Sequence, residues 1–347
     1  MHRIARISIP ILTLCLASPI LAQQGPDTTW VPYVARPAYP ADGGPRVGID
    51  EAHLNFHTVE GNYRPFAELL RRDGYRVGAS ALPFSRAGLA LFDVLVIANA
   101  RGGQDAETVS NSAFTAEERA ALREWVRGGG SLLLIADHAP FGAAAEALAM
   151  EFGVGMSKGF TFDTVAGRNA GNPTFLRFTR ENGLLGRHPI LEGRGAAERV
   201  SVVQSFTGQS LSVPGGSGVL LQLSPTAQDR EPPTPEEMRA QAARRQQIAD
   251  SIAAAIRAGG ARDSAVAVAA QLQAQGEQRF VSAAGRAQGV AMAFGAGRVV
   301  ILGEAAMLSA QKVEIPGRPT IRMGMNVPGH DDQQFALNVL HWLSRLN

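Results

Sequence analysis

An unbroken apolar run near the middle of the chain is the strongest structural signal in the sequence. Residues 132–136 read Leu-Leu-Leu-Ile-Ala, follow a glycine-rich turn, and lead directly into Asp137 and His138. Such a run between turn residues is typical of a strand that helices cover on both faces. Ligands bind beyond the carboxyl ends of strands of this kind, so the two polar residues lie where chemistry is expected.

Alternating strand and helix patterns precede this run. Three further apolar runs have the strand pattern, at residues 46–50, 75–80 and 93–98. Asn62 is suited to cap a helix that stops at Gly74, and Thr115 with Glu118 forms a capping box for another. This alternation predicts an α/β fold with a doubly wound, mostly parallel sheet.

The second half of the chain resumes the sheet after an interruption. Helices are predicted at residues 143–152 and after Gly329, with strands at 218–223, 289–294 and 298–303. Residues 225–278 are rich in alanine and arginine, with a helix start at Thr234 and Glu237, and they predict an inserted helical hairpin. We therefore expect one α/β domain over residues 46–347 that carries this insertion.

The amino-terminal region has the layout of an export signal. Residues 1–22 place Arg3 and Arg6 before an apolar run that is too short to span a membrane, and they end in the small residue Ala22. A proline-rich arm at residues 23–45 follows. The sequence thus predicts a cleaved signal peptide and a secreted, periplasmic or envelope protein with no integral membrane segment after cleavage.

Charge and cysteine usage restrict the classes of function. Cleavage removes two of the 33 basic residues and none of the 31 acidic ones, which leaves no net formal charge. The arginines are scattered among acids, so no nucleic-acid surface is expected. Cys15 is the only cysteine and lies in the signal, so the mature chain has no disulfide, cysteine metal site or thiol nucleophile.

Five acidic and imidazole side chains follow the predicted strands at the same edge of the sheet. They are Glu51, His53, Asp137, His138 and Glu304. Carboxylates beside imidazoles are suited to general acid–base chemistry, so this set is the candidate catalytic group. The alternative is that these side chains cap helices and tie loops together.

Other histidines leave further alternatives open. A metal ion could be held by His53, His138 and Glu304, with His57 as a fourth ligand, although the metal and any other cofactor stay unidentified. A structural role is expected for His188. His330 is expected at a helix start, with a site role as the alternative, and His341 as a packed or surface residue.

The order of several short motifs resembles the class I glutamine-amidotransferase-like superfamily, in its bacterial branch of ThuA-like and GldG-like domains. The matching pieces are residues 50–53 and 55–58, the strand and turn at 129–138, His188-Pro189-Ile190, residues 297–304 and the helix at 335–343. They cover most of residues 46–346 outside the insertion. The resemblance implies a flavodoxin-like fold.

The same resemblance argues against glutaminase activity. In those amidotransferases a cysteine nucleophile follows the central strand and a later strand end supplies its histidine. Here these positions fall on Asp137 or His138 and on Glu304, so the thiol chemistry cannot operate.

Two functions from different classes remain. One is an exported hydrolase or other enzyme that processes a small-molecule or carbohydrate ligand; the other is a catalytically inert binding or assembly domain of the cell envelope. The sequence does not identify the substrate or the oligomeric state.

Overall fold

The computed structural model describes residues 23–213, 218–234, 278–314 and 319–346, together with Gly215 and separate positions between 236 and 250. The predicted signal peptide at residues 1–22 lies outside the described residues. So does most of the predicted helical insertion.

Within this described part of the chain, nine strands form the central sheet, and five of them run parallel. In spatial order the parallel strands are β3 (Arg76–Ser80), β2 (Arg46–Asp50), β4 (Val94–Ala98), β5 (Ser131–Ile135) and β15 (Gly297–Leu302). Strands β2, β4 and β5 are almost wholly buried, as their apolar runs predicted. The carboxyl ends of these strands therefore share one edge.

Antiparallel strands extend the sheet beyond β15. They are β14 (Ala287–Phe294), β10 (Leu211–Ser212) and β6 (Gly155–Met156), with β11 (Val219–Gln222) also paired to β14. The hairpin of β14 and β15 turns at Gly295, where φ is +60°, a conformation that glycine adopts without a Cβ clash.

Smaller sheets surround the central one. The first contains β1 (Gln23–Pro26), β16 (Ala310–Glu314) and β17 (Ile321–Gly324); the second contains β7 (Phe160–Phe162), β12 (Gln228–Arg230) and β13 (Phe280–Ser282). A two-stranded ribbon joins β8 (Arg177–Thr179) to β9 (Val202–Gln204).

Helices pack against both faces of the central sheet. One face carries α1 (Arg64–Arg72), α5 (Pro189–Glu192) and α6 (Asp332–Leu343); the other carries α2 (Arg86–Leu89), α3 (Ala116–Arg127) and α4 (Phe141–Met150). Short 3-10 helices lie at Ala196–Glu198 and Ala306–Leu308. Alternate strand residues point to opposite faces, so Leu133 joins the first hydrophobic cluster and Leu132 the second. The structure is a mixed α/β fold with a large, mostly parallel sheet.

Local predictions had mixed outcomes. The capping box of Thr115 and Glu118 is confirmed. The predicted cap at Asn62 is wrong: Tyr63 occupies the cap position without a side-chain bond, and Asn62 donates to the Phe56 carbonyl instead. Pro65 lies in the first turn and has no N–H to satisfy, which lessens the need for a side-chain cap.

The predicted helical insertion begins with a strand. Strand β12 lies inside residues 225–278 and pairs with both β7 and β13. Farther on, Thr234 and Glu237 exchange the two capping hydrogen bonds that the sequence indicated, and the described positions between 236 and 250 are helical.

Among the described residues, no helix combines the length and apolarity that crossing a membrane requires.

Candidate functional site

Two acidic side chains meet at the carboxyl edge of the sheet. Strands β5 and β15 are neighbours, and their register pairs Ile135 with Leu302. Asp137 and Glu304 each lie two residues beyond these partners, so the sheet brings them to the same level. We call these two residues the acid pair.

Neighbouring strand ends hold Asp137 in place. Asn99, which follows β4, donates from Nδ2 to one carboxylate oxygen at 2.7 Å and accepts from the Asp137 N–H at 2.9 Å. The Ala305 N–H donates to the other oxygen at 2.7 Å. Asn99 has a φ of +51°, a left-handed conformation that asparagine tolerates better than most residues. The ends of β4 and β15 thus fix the carboxylate that follows β5.

Glu304 is more deeply buried and bonds to its own loop. It is 1% exposed, and its two oxygens accept from the backbone N–H groups of Ala306 and Met307 at 2.7 and 2.8 Å. The Tyr63 hydroxyl donates to the Ala305 carbonyl at 3.0 Å, which ties helix α1 to the same loop. The loop after β15 is therefore held by the Glu304 carboxylate and by Tyr63 at the start of α1.

The pKa values of both carboxyl groups of the acid pair are raised. Burial raises the pKa of Asp137 to about 6, although the bonds from Asn99 and Ala305 oppose that rise. Burial and the adjacent charge of Asp137 together raise the pKa of Glu304 well above its usual range. The charge on one carboxylate disfavours ionisation of the other.

A third buried carboxyl group lies near the acid pair. The charge of Asp332 also raises the pKa of Glu304, and burial raises the pKa of Asp332 itself. One Asp332 oxygen accepts from the Gln204 N–H at 3.0 Å, and the other lies 3.1 Å from His330 Nδ1. Asp331 is the cap residue of α6, so His330 stands just before the helix start, as the sequence predicted.

His53 lies in a separate cluster. Its Nδ1 contacts Asp50 at 2.9 Å and its Nε2 contacts Glu118 at 3.0 Å, while the rings of Phe84 and Phe114 pack against it. Burial favours the neutral ring, but the two carboxylates outweigh it and raise the pKa of His53. Among the described contacts, His53 makes none with the acid pair.

Glu51 and His138 also bond to other partners. Glu51 accepts from the Val59 N–H at 2.8 Å and so ties the loop after β2. His138 Nδ1 contacts the Ala139 carbonyl at 2.8 Å, and its ring stacks on Phe160 with centroids 3.7 Å apart. Burial, followed by the charge of Arg230, lowers the pKa of His138.

The residues proposed as metal ligands are dispersed. The described residues contain no group of three or more His, Cys, Asp or Glu side chains arranged to hold a metal ion. His57 is buried against the Tyr63 ring at 4.6 Å, and burial lowers its pKa to about 3. His53, His138 and Glu304 accordingly have separate partners.

The remaining histidines have structural partners. His188 caps α5 by accepting from the Ile190 N–H, in the structural role that the sequence indicated. His341 was predicted to be either packed or on the surface. It is packed, and its Nε2 lies 2.7 Å from Asp73. The sequence does not indicate Asp332 as a neighbour of Glu304. An acidic residue is common at a helix start, so the position of Asp332 there already explains it.

Comparisons with known proteins locate the fold. No family model and no curated protein sequence matches the chain. Its structure is similar to the mmIFT52 N-terminal domain, with a TM-score of 0.52 and 12% identity over 86% of this chain and 97% of that one.

Two ThuA-like bacterial proteins are matched less closely. The one from Bacteroides uniformis ATCC 8492 has a TM-score of 0.40 and 13% identity over 90% of this chain and 94% of that one. The one from Parabacteroides merdae ATCC 43184 has a TM-score of 0.39 and 10% identity over 87% and 90%. At 12% identity, the similarity to the mmIFT52 domain supports the α/β fold only. Function has to be argued from the residues of the site.

Proposed function

We propose that the protein is a hydrolase that acts on a small polar or carbohydrate-like substrate at the carboxyl edge of its sheet. Asp137 is the general acid–base group, and Glu304 is the buried partner whose pKa the charge of Asp137 raises. The observation that carries the proposal is the acid pair itself. Buried carboxyl groups side by side are costly unless they serve a purpose.

The two carboxyl groups differ in the way that such a mechanism needs. Glu304 is buried, whereas Asp137 keeps partial access to solvent. A pKa near 6 lets Asp137 both accept and donate a proton close to neutral pH. Phe56 donates its N–H to the carbonyl of Asn99, the residue that holds Asp137. Its ring is 40% exposed, with its centroid 5.9 Å from that of Phe141, and the two rings offer an apolar surface.

We also assign the chain to the ThuA-like branch of the glutamine-amidotransferase-like superfamily, with a doubly wound, flavodoxin-like sheet. The support is the order of the motifs along the chain. Since the mature chain has no cysteine, we infer that it lacks glutaminase activity. The arginine-led apolar segment at residues 1–22 supports export to the envelope.

A specific observation favours the inert binding or assembly domain as the second candidate. Both oxygens of Asp137 and both of Glu304 already accept hydrogen bonds from the protein. Carboxylates satisfied in this way can simply tie strand ends together. The two candidate functions therefore predict different results when the acid pair is substituted. A hydrolase loses activity, whereas a binding domain loses only stability.

Two near-isosteric variants test the proposal. Asp137→Asn and Glu304→Gln remove the titrating groups and keep the side-chain shape. We expect each to reduce hydrolysis of a panel of nitrophenyl glycosides and esters by about 100-fold or more in protein that stays folded. Each variant also loses some stability, because its new amide N–H faces a donor from which the carboxylate oxygen accepted a hydrogen bond. The free energy of unfolding is measured on the same samples.

Asp163→Asn is the matched control. Asp163 is also buried and accepts hydrogen bonds from Ser224 and Thr226, away from the acid pair. This variant should lose stability but not activity. If the wild type hydrolyses nothing in the panel, and the acid-pair variants lose about 1–3 kcal/mol of stability, the pair is a structural tie.

A further inference from the structure

The small sheet of β7, β12 and β13 presents an aromatic and basic face to solvent. Its strands pair so that Phe160, Arg230 and Phe280 lie in one row across the sheet. Residues directly opposite each other point to the same face. The alternate residues Thr161 and Asp229 are buried, and the Thr161 hydroxyl donates to the Asp229 carboxylate on the other face. The row therefore lies on the outer face, where Phe280 is 51% exposed.

Two contacts attach this sheet to the body of the protein beside the acid pair. The His138 ring stacks on Phe160, with their centroids 3.7 Å apart. The Thr161 N–H of the same strand donates to the Gly208 carbonyl at 2.9 Å. Gly208 in turn lies against the acid pair, since a Cβ on it would be only 2.7 Å from the Cβ of Glu304. A ligand on the outer face of the small sheet is therefore a neighbour of the acid pair.

Arg230 is an uncompensated positive charge on this face. Its guanidinium carbon lies 4.5 Å from the centroid of the Phe160 ring, and among the described residues no carboxylate or carbonyl accepts from it. The adjacent Glu231 pairs instead with Arg279 at 3.2 Å. Burial, and then the charge of Arg230, lower the pKa of His138, so the field of the guanidinium reaches that ring. An anion placed here would meet a cation that has no other partner.

We propose that the substrate of the acid pair is an anionic sugar, with its carboxylate or phosphate group on Arg230 and its ring against Phe280. The inference rests on the proposed hydrolase and names its substrate class. The planar guanidinium fork matches two oxygens of a carboxylate or phosphate. An exposed aromatic ring offers an apolar surface to the C–H groups of a sugar. Neighbouring strands lie about 4.8 Å apart, so the row is roughly 10 Å long, which a sugar with its leaving group spans.

Matched nitrophenyl glycosides test the substrate class on the wild-type protein. Each set, in the β-gluco or the α-galacto configuration, contains the uronide, the 6-phosphate and the neutral hexoside, so that only the group at C6 changes. Titrations followed by ligand-detected NMR record binding and cleavage in the same sample. We expect at least one acidic ligand to bind about tenfold or more tightly than its neutral counterpart. Equal binding within each set, or binding of none, would overturn the proposal.

Arg230→Gln removes the unpaired charge. It should weaken the acidic ligands about tenfold and leave the neutral ones unchanged, because only the acidic ligands lose a charge-assisted hydrogen bond. Arg230→Lys keeps the charge without the fork and should retain part of the preference. Arg86→Gln is the matched control: Arg86 is also exposed, but it lines a cavity with Gly44 and Gly129, which precede β2 and β5 at the other end of the central sheet. Unchanged affinity of folded Arg230→Gln protein for the acidic ligands would contradict the proposed contact.

The two readouts separate this inference from the proposed hydrolase. Binding that prefers acidic sugars and depends on Arg230, with no nitrophenol released, would support the ligand class and refute the hydrolase. Cleavage of neutral glycosides or esters without any preference for the acidic ones would support the hydrolase and refute the substrate class. If both proposals hold, Arg230→Gln should raise KM for the acidic glycosides about tenfold and leave KM for the neutral ones unchanged.

Discussion

Burial raises the pKa of Asp137 and so gives its contribution to stability a pH dependence opposite to that of a carboxylate whose pKa hydrogen bonds lower. Its pKa is about 6 in the folded protein against 3.8 for the usual side chain. A raised pKa contributes stability that is present below the unfolded value and is lost as pH rises through the folded one. We therefore expect the stability of the wild type, relative to Asp137→Asn, to fall between about pH 4 and pH 6.

Asp27 provides a control of opposite sign. Burial would raise its pKa, but bonds from Thr29 and Asn326 prevail and lower the value to about 2. The wild type, relative to Asp27→Asn, should lose stability as pH falls from about 4 to 2. Chemical denaturation across this pH range measures both differences. A flat or reversed profile for Asp137 would mean that its carboxyl group is not buried against Glu304.

The sequence predicts which side chains follow the strands better than it predicts which side chains they contact. Asp137 and Glu304 were both placed at strand ends, and the parallel register brings them together as expected. His53 was grouped with them, yet it contacts Glu118, 65 residues away, which the sequence indicated only as a helix cap. One oxygen of the Glu118 carboxylate caps the helix and the other contacts His53, so the sequence pattern for the cap does not reveal the second partner.

At the scale of elements, the inserted segment begins and ends on adjacent strands. Arg230 of β12 pairs with Phe280 of β13, and the Glu231 N–H donates to the Arg279 carbonyl at 2.9 Å. The two ends are therefore within reach of a tight turn. The sequence between them lacks the large apolar stripe of a core helix.

We predict that replacing residues 232–278 with a short glycine–serine link leaves the sheet folded. The cost of loop closure changes slowly with loop length, so stability should change by about 1 kcal/mol or less. Thermal unfolding followed by circular dichroism checks this. A variant that also lacks β12 and β13 is the comparison, and it should melt lower because the buried Thr161 and Ser210 hydroxyls lose the Asp229 carboxylate to which they donate.

Loss of the cooperative transition on replacement would show that the segment belongs to the core. If unfolding stays cooperative but hydrolysis disappears, the segment is a lid. That outcome has a physical route, because β12 pairs with β7, whose Phe160 stacks on His138 beside the acid pair.

The elements that sequence patterns predicted best are those with their own strong local signal. Strands β2, β4 and β5 have continuous apolar runs, and α3 has a capping box. Strands of two or three residues, such as β6 and β10, are too short to show a periodicity. They form because the partner strand supplies the hydrogen bonds, which is information that lies far away in the chain.

At the scale of the whole molecule, the amino-terminal arm fastens to the body at several points. Strand β1 pairs with β16, and Asn326 donates to Asp27 at 3.0 Å. Trp30 packs against the hydrophobic cluster that α1 and α6 share, and Asp73 accepts from Ala38 at 2.7 Å. These contacts begin directly after the predicted signal peptide, so the cleavage position decides whether the arm stays attached.

We predict that the mature protein begins near residue 23 and that a chain starting there is as stable as the full-length chain. Starting at residue 32 instead should lower the free energy of unfolding by about 2–4 kcal/mol, through lost hydrogen bonds and the lost burial of Trp30. Amino-terminal sequencing of protein from the envelope fraction and denaturant unfolding of both truncations measure these outcomes. If residues 1–22 persist in that fraction, they are not a cleaved signal peptide. If their removal alone destabilises the protein, the segment belongs to the folded domain.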